Sequence, residues 1–331
     1  MKKDYSKIVV LSEWFALKGS VSDRSLFSLG DMKKYSIDSE QYDFLKALDG
    51  GRSLLEILKE YDSVSQKVAE EFVKKLVALG AVRFVEEKRP RFFPDLVSDP
   101  HLRSVHFEMT KDCNMRCRHC YQESYMVGAQ NTDLTFNEIV NLAEEMRLLS
   151  VEKIGVSGGE PFMRDDLFDL LSVFEEKEIA ISSILTNGLR LDRVAINKIK
   201  RLRSKFPVFV SLDGLNPLAM RLRGIRASRC KVTFRDIVEN IKETIESDIP
   251  VVINTAVTKE NVRDLVEMYD WFRRLGVYGW RAALPKMAGA YVKNHAAFSV
   301  DRERAFEAYL AVINRHLETG GIESGFELQI E

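Results

Sequence analysis

Long apolar runs are missing from this 331-residue chain. No stretch approaches the roughly 18–20 residues that span a bilayer, and the opening MKKDYSKIVVLSEWFALKG turns polar before a signal-peptide core forms. The expectation is a cytoplasmic protein with no membrane partner. A surplus of one charge is missing too. The 49 basic and 50 acidic residues leave a formal charge of -1, which argues against a dedicated nucleic-acid or anionic-membrane surface. Cysteine is scarce: of four, three fall between positions 113 and 120. That distribution excludes a disulfide scaffold and suits one metal centre. Proline is sparse as well, eight in all, yet Pro90, Pro94 and Pro100 crowd together beside the charged run Glu86–Arg91. Such a stretch continues neither a helix nor a central strand, so a linker over 91–102 is expected to separate two domains.

Ahead of that linker, Ile8–Leu11, Trp14–Leu17 and Leu26–Leu29 read as short strands. Asp38 is placed to cap a helix carrying Tyr42, Leu45 and Leu48, which the Asp49-Gly50-Gly51 break ends. Helices over Leu54–Tyr61 and Gln66–Leu79 and a strand over Val82–Val85 complete a small winged-helix-like α+β unit, residues 1–90. From 103 the pattern changes to short apolar runs alternating with helical periodicity. The strands are Val105–Met109, Lys153–Val156, Ala180–Leu185, Val208–Leu212, Pro250–Val257 and Trp280–Leu284, with helices at 135–149, 166–178, 192–204, 234–247, 261–275 and 301–318. Thr135 and Glu138 have the spacing of a capping box. Six strand–helix units in series predict an α/β fold with a parallel sheet, open or curled into a barrel.

The chemistry concentrates just after the first of these strands, in Cys113-Asn114-Met115-Arg116-Cys117-Arg118-His119-Cys120-Tyr121. Thiolates are the soft ligands that iron–sulfur clusters take, and one short loop can wrap three corners of a cube, leaving one iron open. Zinc is the alternative, with His119 adjacent, though a second ligand pair is lacking. After the second strand comes Ser157-Gly158-Gly159-Glu160-Pro161, where two glycines permit a tight turn and a close backbone approach to a ligand. Thr186-Asn187-Gly188, Ser211-Leu212-Asp213-Gly214 and Asn254 fall at the ends of later strands, which share one mouth in a βα barrel. Arg221, Arg223 and Arg281 are candidate cations for a ligand carboxylate.

The three-then-two spacing of Cys113, Cys117 and Cys120 resembles the signature of the radical S-adenosylmethionine (SAM) superfamily, with His119 where an aromatic usually stands. The resemblance implies a partial (β/α)6 barrel over 103–319 and a 4Fe-4S cluster on the three cysteines. It implies SAM chelated at the open iron, an external electron donor, and cleavage of SAM to methionine and a 5′-deoxyadenosyl radical. Gly158-Gly159-Glu160-Pro161 resembles the family's segment that contacts the SAM amino group. Ser211 and Asp213 resemble its ribose and carboxylate contacts, and Tyr121, Thr186, Asn187 and Asn254 join the cofactor-binding set on the same ground.

Residues 35–85, with Tyr35-Ser36-Ile37-Asp38, Phe44-Leu45 and Leu54, resemble the PqqD-like leader-peptide recognition element of ribosomal peptide biosynthesis. Fused to a radical SAM barrel, it resembles a SPASM-type peptide maturase, which implies a precursor peptide bound through its leader. A generic winged helix, a barrel acting on a small molecule or tetrapyrrole, and a non-catalytic peptide-binding partner stay open. Strand addition is expected at Leu26–Leu29 as an exposed edge. The tail 320–331 reads as the start of a strand or hairpin without a partner, and hence of a truncated C-terminal extension. Cys230 stands apart from the triad and reads as an ordinary cysteine.

Overall fold

The computed structural model describes residues 5–122, 133–215, 223–224 and 234–331; Arg221 and Cys230 lie outside them. The chain forms two compact units. The first takes the residues up to Val105 together with Asn137–Ile154 and Ser172–Ala180. Its strands are β1 (Ile8–Leu11), β2 (Phe15–Gly19), β3 (Arg24–Ser28), β4 (Lys34–Ser36), β5 (Asp49–Ser53) and β6 (Val82–Val85). Its helices begin with α1 (Ser39–Ala47), α2 (Leu54–Leu58) and α3 (Ser63–Ala78). They make two three-stranded antiparallel sheets, ordered β5-β1-β6 and β2-β3-β4. Val9, Leu45, Leu48, Leu54, Ile57 and Val73 are fully buried in the core the unit closes over.

Asp38 caps α1 as expected, its side chain accepting from the Gln41 N–H while the Gln41 side chain accepts from the Asp38 N–H. Helix α3 starts earlier than its apolar pattern shows, because Asp62 accepts from Val64 and Ser65. Two expectations need correction. Asp49-Gly50-Gly51 does not merely end α1: it is strand β5, paired with β1. Leu26–Leu29 is no edge, since β3 is the centre of its sheet and the Ser28 N–H already donates to the Lys33 carbonyl. The outer strands of that sheet are β2 and β4; β2 is taken up in part, its Gly19 N–H donating to Ser150 Oγ and its Phe15 carbonyl accepting from Arg91, which leaves β4 as the open edge among the described residues.

Lys18, on the fully buried β2, is 2% exposed. Desolvation pulls its ammonium down to about 8, against the opposing attraction of Glu178 and Glu152. A base whose pKa falls on folding binds fewer protons folded than unfolded between pH 8 and its ordinary 10.5. Stability from this group therefore rises with pH across that window. Lys18→Met should be the more stable protein at pH 7, by on the order of 2–3 kcal/mol. The gap should shrink as denaturant melts are repeated toward pH 10; a gap independent of pH would mean that Lys18 is not buried as a charge.

The second unit takes the described parts of His106–Phe136, Gly155–Leu171 and Ile181–Glu331. The remaining strands are β7 (Ser104–Glu108), β8 (Lys153–Ser157), β9 (Ala180–Thr186), β10 (Val208–Ser211), β11 (Val251–Ala256), β12 (Gly279–Ala283) and β13 (Glu327–Ile330). Among the described residues these seven form one sheet in the order β13-β12-β11-β10-β9-β8-β7. From β9 to β13 each strand pairs in parallel with the next. A strand order that follows the sequence, with no reversal, is that of a barrel wall and not of a doubly wound sheet. The intervening helices are α4 (Phe136–Leu148), α5 (Leu167–Glu176), α6 (Arg193–Arg201), α7 (Phe234–Glu246), α8 (Leu265–Leu275), α9 (Ala290–Phe298) and α10 (Arg302–Glu318). This is the expected partial barrel with two additions. Helix α9 has too weak a pattern to be read from sequence, and the tail strand β13 has a partner after all, pairing in parallel with β12.

Candidate active site at the strand ends

The loop after β7 carries Cys113, Cys117 and Cys120, all free and all partly buried. Two backbone N–H groups point at sulfur, Met115 to Cys113 Sγ at 3.4 Å and Gln122 to Cys120 Sγ at 3.3 Å. Burial pushes Cys113 up to about 11 and Cys117 to about 12, and it raises Cys120. Uptake of a cation would have to displace those protons. Among the described residues no three His, Cys, Asp or Glu side chains are grouped as ligands of a single ion. A cubane makes a different demand, one sulfur at each of three separate irons, and three thiols with N–H donors aimed at two of them suit it.

The glycine pair holds this loop from behind. Gly159 N–H donates to the Thr110 carbonyl at 2.8 Å and Glu160 N–H to the Asp112 carbonyl at 2.7 Å. A Cβ on Gly158, whose φ is +138°, would stand 2.5 Å from the Thr110 oxygen. One on Gly159 would stand 2.7 Å from the Lys111 oxygen and closer still to that of Asp112. The close approach expected toward a ligand is thus, in the structure, an approach to the backbone that leads into Cys113.

Glu160 is 1% exposed. Its Oε1 accepts from the Thr186 hydroxyl at 2.8 Å and the Phe162 N–H at 3.3 Å, and its Oε2 from the Asn187 N–H at 2.7 Å. Burial nevertheless pushes the carboxyl up to about 7, so it is suited to a further N–H donor from a cationic ligand. Pro161 opens a short 3-10 turn capped by Glu160. Asn187 reaches the cysteine loop itself, donating from Nδ2 to Asn114 Oδ1 at 2.7 Å. Glu160, Thr186, Asn187 and the cysteine loop therefore make one connected group.

The other candidates divide. Ser211 and Asn254 face each other in register on β10 and β11, both half-buried, and Arg281 continues the row on β12. Tyr121 is exposed and its hydroxyl lies 3.4 Å from Glu108 Oε1. Asp213, 1% exposed, is occupied by protein: Oδ1 accepts from Arg223 at 2.8 Å and from the Ala256 N–H at 2.9 Å. Its Oδ2 lies 3.3 Å from His119 Nε2. Burial lowers His119 from its ordinary value, against the pull of Asp213, and its Nδ1 is buried without a partner. Sequence reasoning overlooked Asn114 and Asn261, whose amide ties Asp213 to Ala256; no local pattern marks either.

The family model for the radical SAM superfamily matches residues 107–272, which include the cysteine loop, the Gly-Gly turn and the ends of β9 to β11. The chain belongs to the radical SAM superfamily. Members of this superfamily are enzymes that use a 4Fe-4S cluster and SAM. In sequence it is 31% identical to the Fe-coproporphyrin III synthase of Methanosarcina barkeri over 166 residues, 50% of this chain and 40% of that protein. It is 30% identical to the probable GTP 3′,8-cyclase of Methanocaldococcus jannaschii over 182 residues, 53% of this chain and 56% of that one. The chain thus spans about half the length of the curated relatives it matches. In structure it resembles Streptococcus suis SuiB bound to its precursor peptide SuiA, with a TM-score of 0.63 at 13% identity over 98% of this chain and 72% of SuiB. The structure of anSMEcpe with bound AdoMet gives 0.57 at 16% identity over 70% of this chain and 64% of that one. No helix among the described residues is long and apolar enough to cross a membrane.

Proposed function

We propose that the chain is a radical SAM peptide maturase: Cys113, Cys117 and Cys120 hold the cluster, and a ribosomally made precursor peptide is the substrate. Cluster and SAM together supply a one-electron reductive cleavage of SAM. The chain's own residues bind and orient. Glu160, fixed by Thr186 and Asn187, accepts from the SAM amino group; Ser211 and Asn254 offer polar groups to the ribose and carboxylate; Asn187 links this cradle to the cluster loop through Asn114. An external donor delivers the electron.

One observation carries the choice of substrate. The likeness to SuiB extends over 98% of the chain and so takes in the first 90 residues, whereas the coproporphyrin synthase and the cyclase each match about half of it. The module has what a PqqD-like element needs, a free sheet edge beside helices. The Ser28 N–H to Lys33 and Ile37 N–H to Arg24 bonds fix which residues of β4 bond to β3. By antiparallel alternation the N–H groups of Lys34 and Ser36 face outward, where an extended leader can add as a strand. The second reading, a tetrapyrrole substrate, is favoured by the 31% identity to the coproporphyrin synthase.

Titrating the full chain with fluorescent copies of the leader segments of any short precursor peptide encoded beside its gene separates them. The peptide reading predicts binding that Ser36→Pro weakens about tenfold, by removing one outward donor and clashing with the added strand, while peptide-free SAM cleavage persists. An absence of binding at high micromolar peptide would favour the tetrapyrrole.

A further inference from the structure

The sheet wall formed by β7, β8 and β9 carries polar groups that the SAM cradle does not use. His106 on β7 is exposed, and its Nε2 lies 2.5 Å from the hydroxyl of Ser157 on β8. Ser157 is only 4% exposed and immediately precedes Gly158-Gly159-Glu160, so the imidazole is anchored next to the cradle. Its other nitrogen, Nδ1, has no hydrogen-bond partner among the described residues. Beside it on β8 stands Gly155, whose φ is not left-handed, so the backbone does not require a glycine there. The space does. A Cβ on Gly155 would stand 3.1 Å from Ser183 Oγ, 3.6 Å from His106 Nδ1 and 3.7 Å from Ser182 Oγ. The missing side chain thus leaves room bordered by an imidazole nitrogen and two hydroxyls. Side chains alternate along a strand, and the registers Leu185 with Phe209 and Ser211 with Asn254 put Ser183 on the sheet face that carries Ser211 and Asn254.

Given the peptide reading above, on which this rests, we propose that His106 is a specificity-determining residue: its Nδ1, together with the Ser183 hydroxyl, binds an uncharged amide group of the peptide segment that enters the barrel, in the space Gly155 leaves open. An amide suits this place in either tautomer of the imidazole. When the Ser157 hydroxyl donates to Nε2, Nδ1 carries the proton and donates to an amide carbonyl; when Nε2 donates to Ser157, Nδ1 accepts from an amide N–H. The Ser183 hydroxyl donates or accepts to match. A carboxylate or an ammonium fits less well, because the nearest groups facing Gly155, an imidazole and two hydroxyls, include no fixed counter-ion. Ser157 is the positioning residue, holding the ring so that Nδ1 faces this space. A hydrogen bond fixed in this way decides which residue of the peptide stands before the SAM site.

The test measures kcat and KM for modification of the whole precursor peptide whose leader binds in the titration above, using the anaerobically reconstituted full chain. Iron content and circular dichroism are followed in parallel. Two amide variants separate the ring nitrogens, since the asparagine amide falls near the place of Nδ1 and the glutamine amide near that of Nε2. His106→Asn should keep kcat/KM within about threefold of the wild type. His106→Gln and His106→Phe should lower it about tenfold, the effect of one lost hydrogen bond to the substrate. Gly155→Ala fills the space while leaving the His106–Ser157 bond in place, and should lower kcat/KM by a similar factor. Unchanged kcat/KM in His106→Phe would overturn the inference, as would a glutamine variant that outperforms the asparagine one, the mark of a ring that only props Ser157. Loss of iron or of fold from both His106→Phe and Gly155→Ala would also sink it, by showing the group to be structural. A wild-type chain that binds and modifies no such precursor would overturn the peptide reading, and this inference with it.

Discussion

Gly159→Val should cost the chain its iron as well as its SAM. The branched side chain has to displace the backbone of Lys111 and Asp112, and that backbone enters Cys113 directly. It would also part the Gly159–Thr110 and Glu160–Asp112 hydrogen bonds that hold the two segments together. A backbone clash cannot be relieved by a rotamer, so the cost is that of overpacking plus broken buried hydrogen bonds, about 3 kcal/mol or more. Iron per chain after reconstitution should fall below half that of the wild type, and SAM binding should fall with it. A variant with a full cluster and selectively weakened SAM binding would instead place a ligand against the glycine face, as the sequence alone suggests.

Glu160→Gln should do the reverse, sparing iron and weakening SAM. The carboxylate's two oxygens receive three protein donors, an arrangement that a carboxylate accepts and an amide does not. In the variant an NH2 group confronts either the Asn187 N–H, or the Phe162 N–H and Thr186 hydroxyl together, and the charge-assisted acceptor for the SAM amino group is gone. Losing a hydrogen bond to a charged group costs about 1.5–3 kcal/mol, so SAM affinity should drop at least tenfold. Equilibrium binding of SAM to the reconstituted variant gives the figure; unaltered affinity would remove Glu160 from the cofactor cradle.

How much of this could be read in advance depended on whether a feature is local. Strands β7 to β12 and most of their helices stand out because apolar period and turn residues are written within ten or so neighbours. The cysteine loop and Gly158-Gly159-Glu160 are equally local. What escaped is pairing at a distance. Asp49-Gly50-Gly51 has the composition of a turn, and only β1, some forty residues earlier, makes it a strand. Leu26–Leu29 looks like an edge until Lys34–Ser36 is seen to pair beside it. The glycines' true neighbour is the Thr110–Asp112 backbone, and Arg223 is an ordinary surface arginine by type until Asp213 and Arg116 surround it. Fixed positive φ and close approach are visible in sequence as glycine, but what approaches is not.

The central claim, that Cys113, Cys117 and Cys120 hold a cluster on which SAM is cleaved, is tested most directly by anaerobic reconstitution of the wild type and of the chain with all three changed to alanine. Iron and 5′-deoxyadenosine are measured on the same samples after addition of a strong reductant and SAM. The wild type should hold about four irons per chain and produce 5′-deoxyadenosine, and the triple variant should do neither while remaining folded. A triple variant that keeps its iron and still produces 5′-deoxyadenosine would contradict the account.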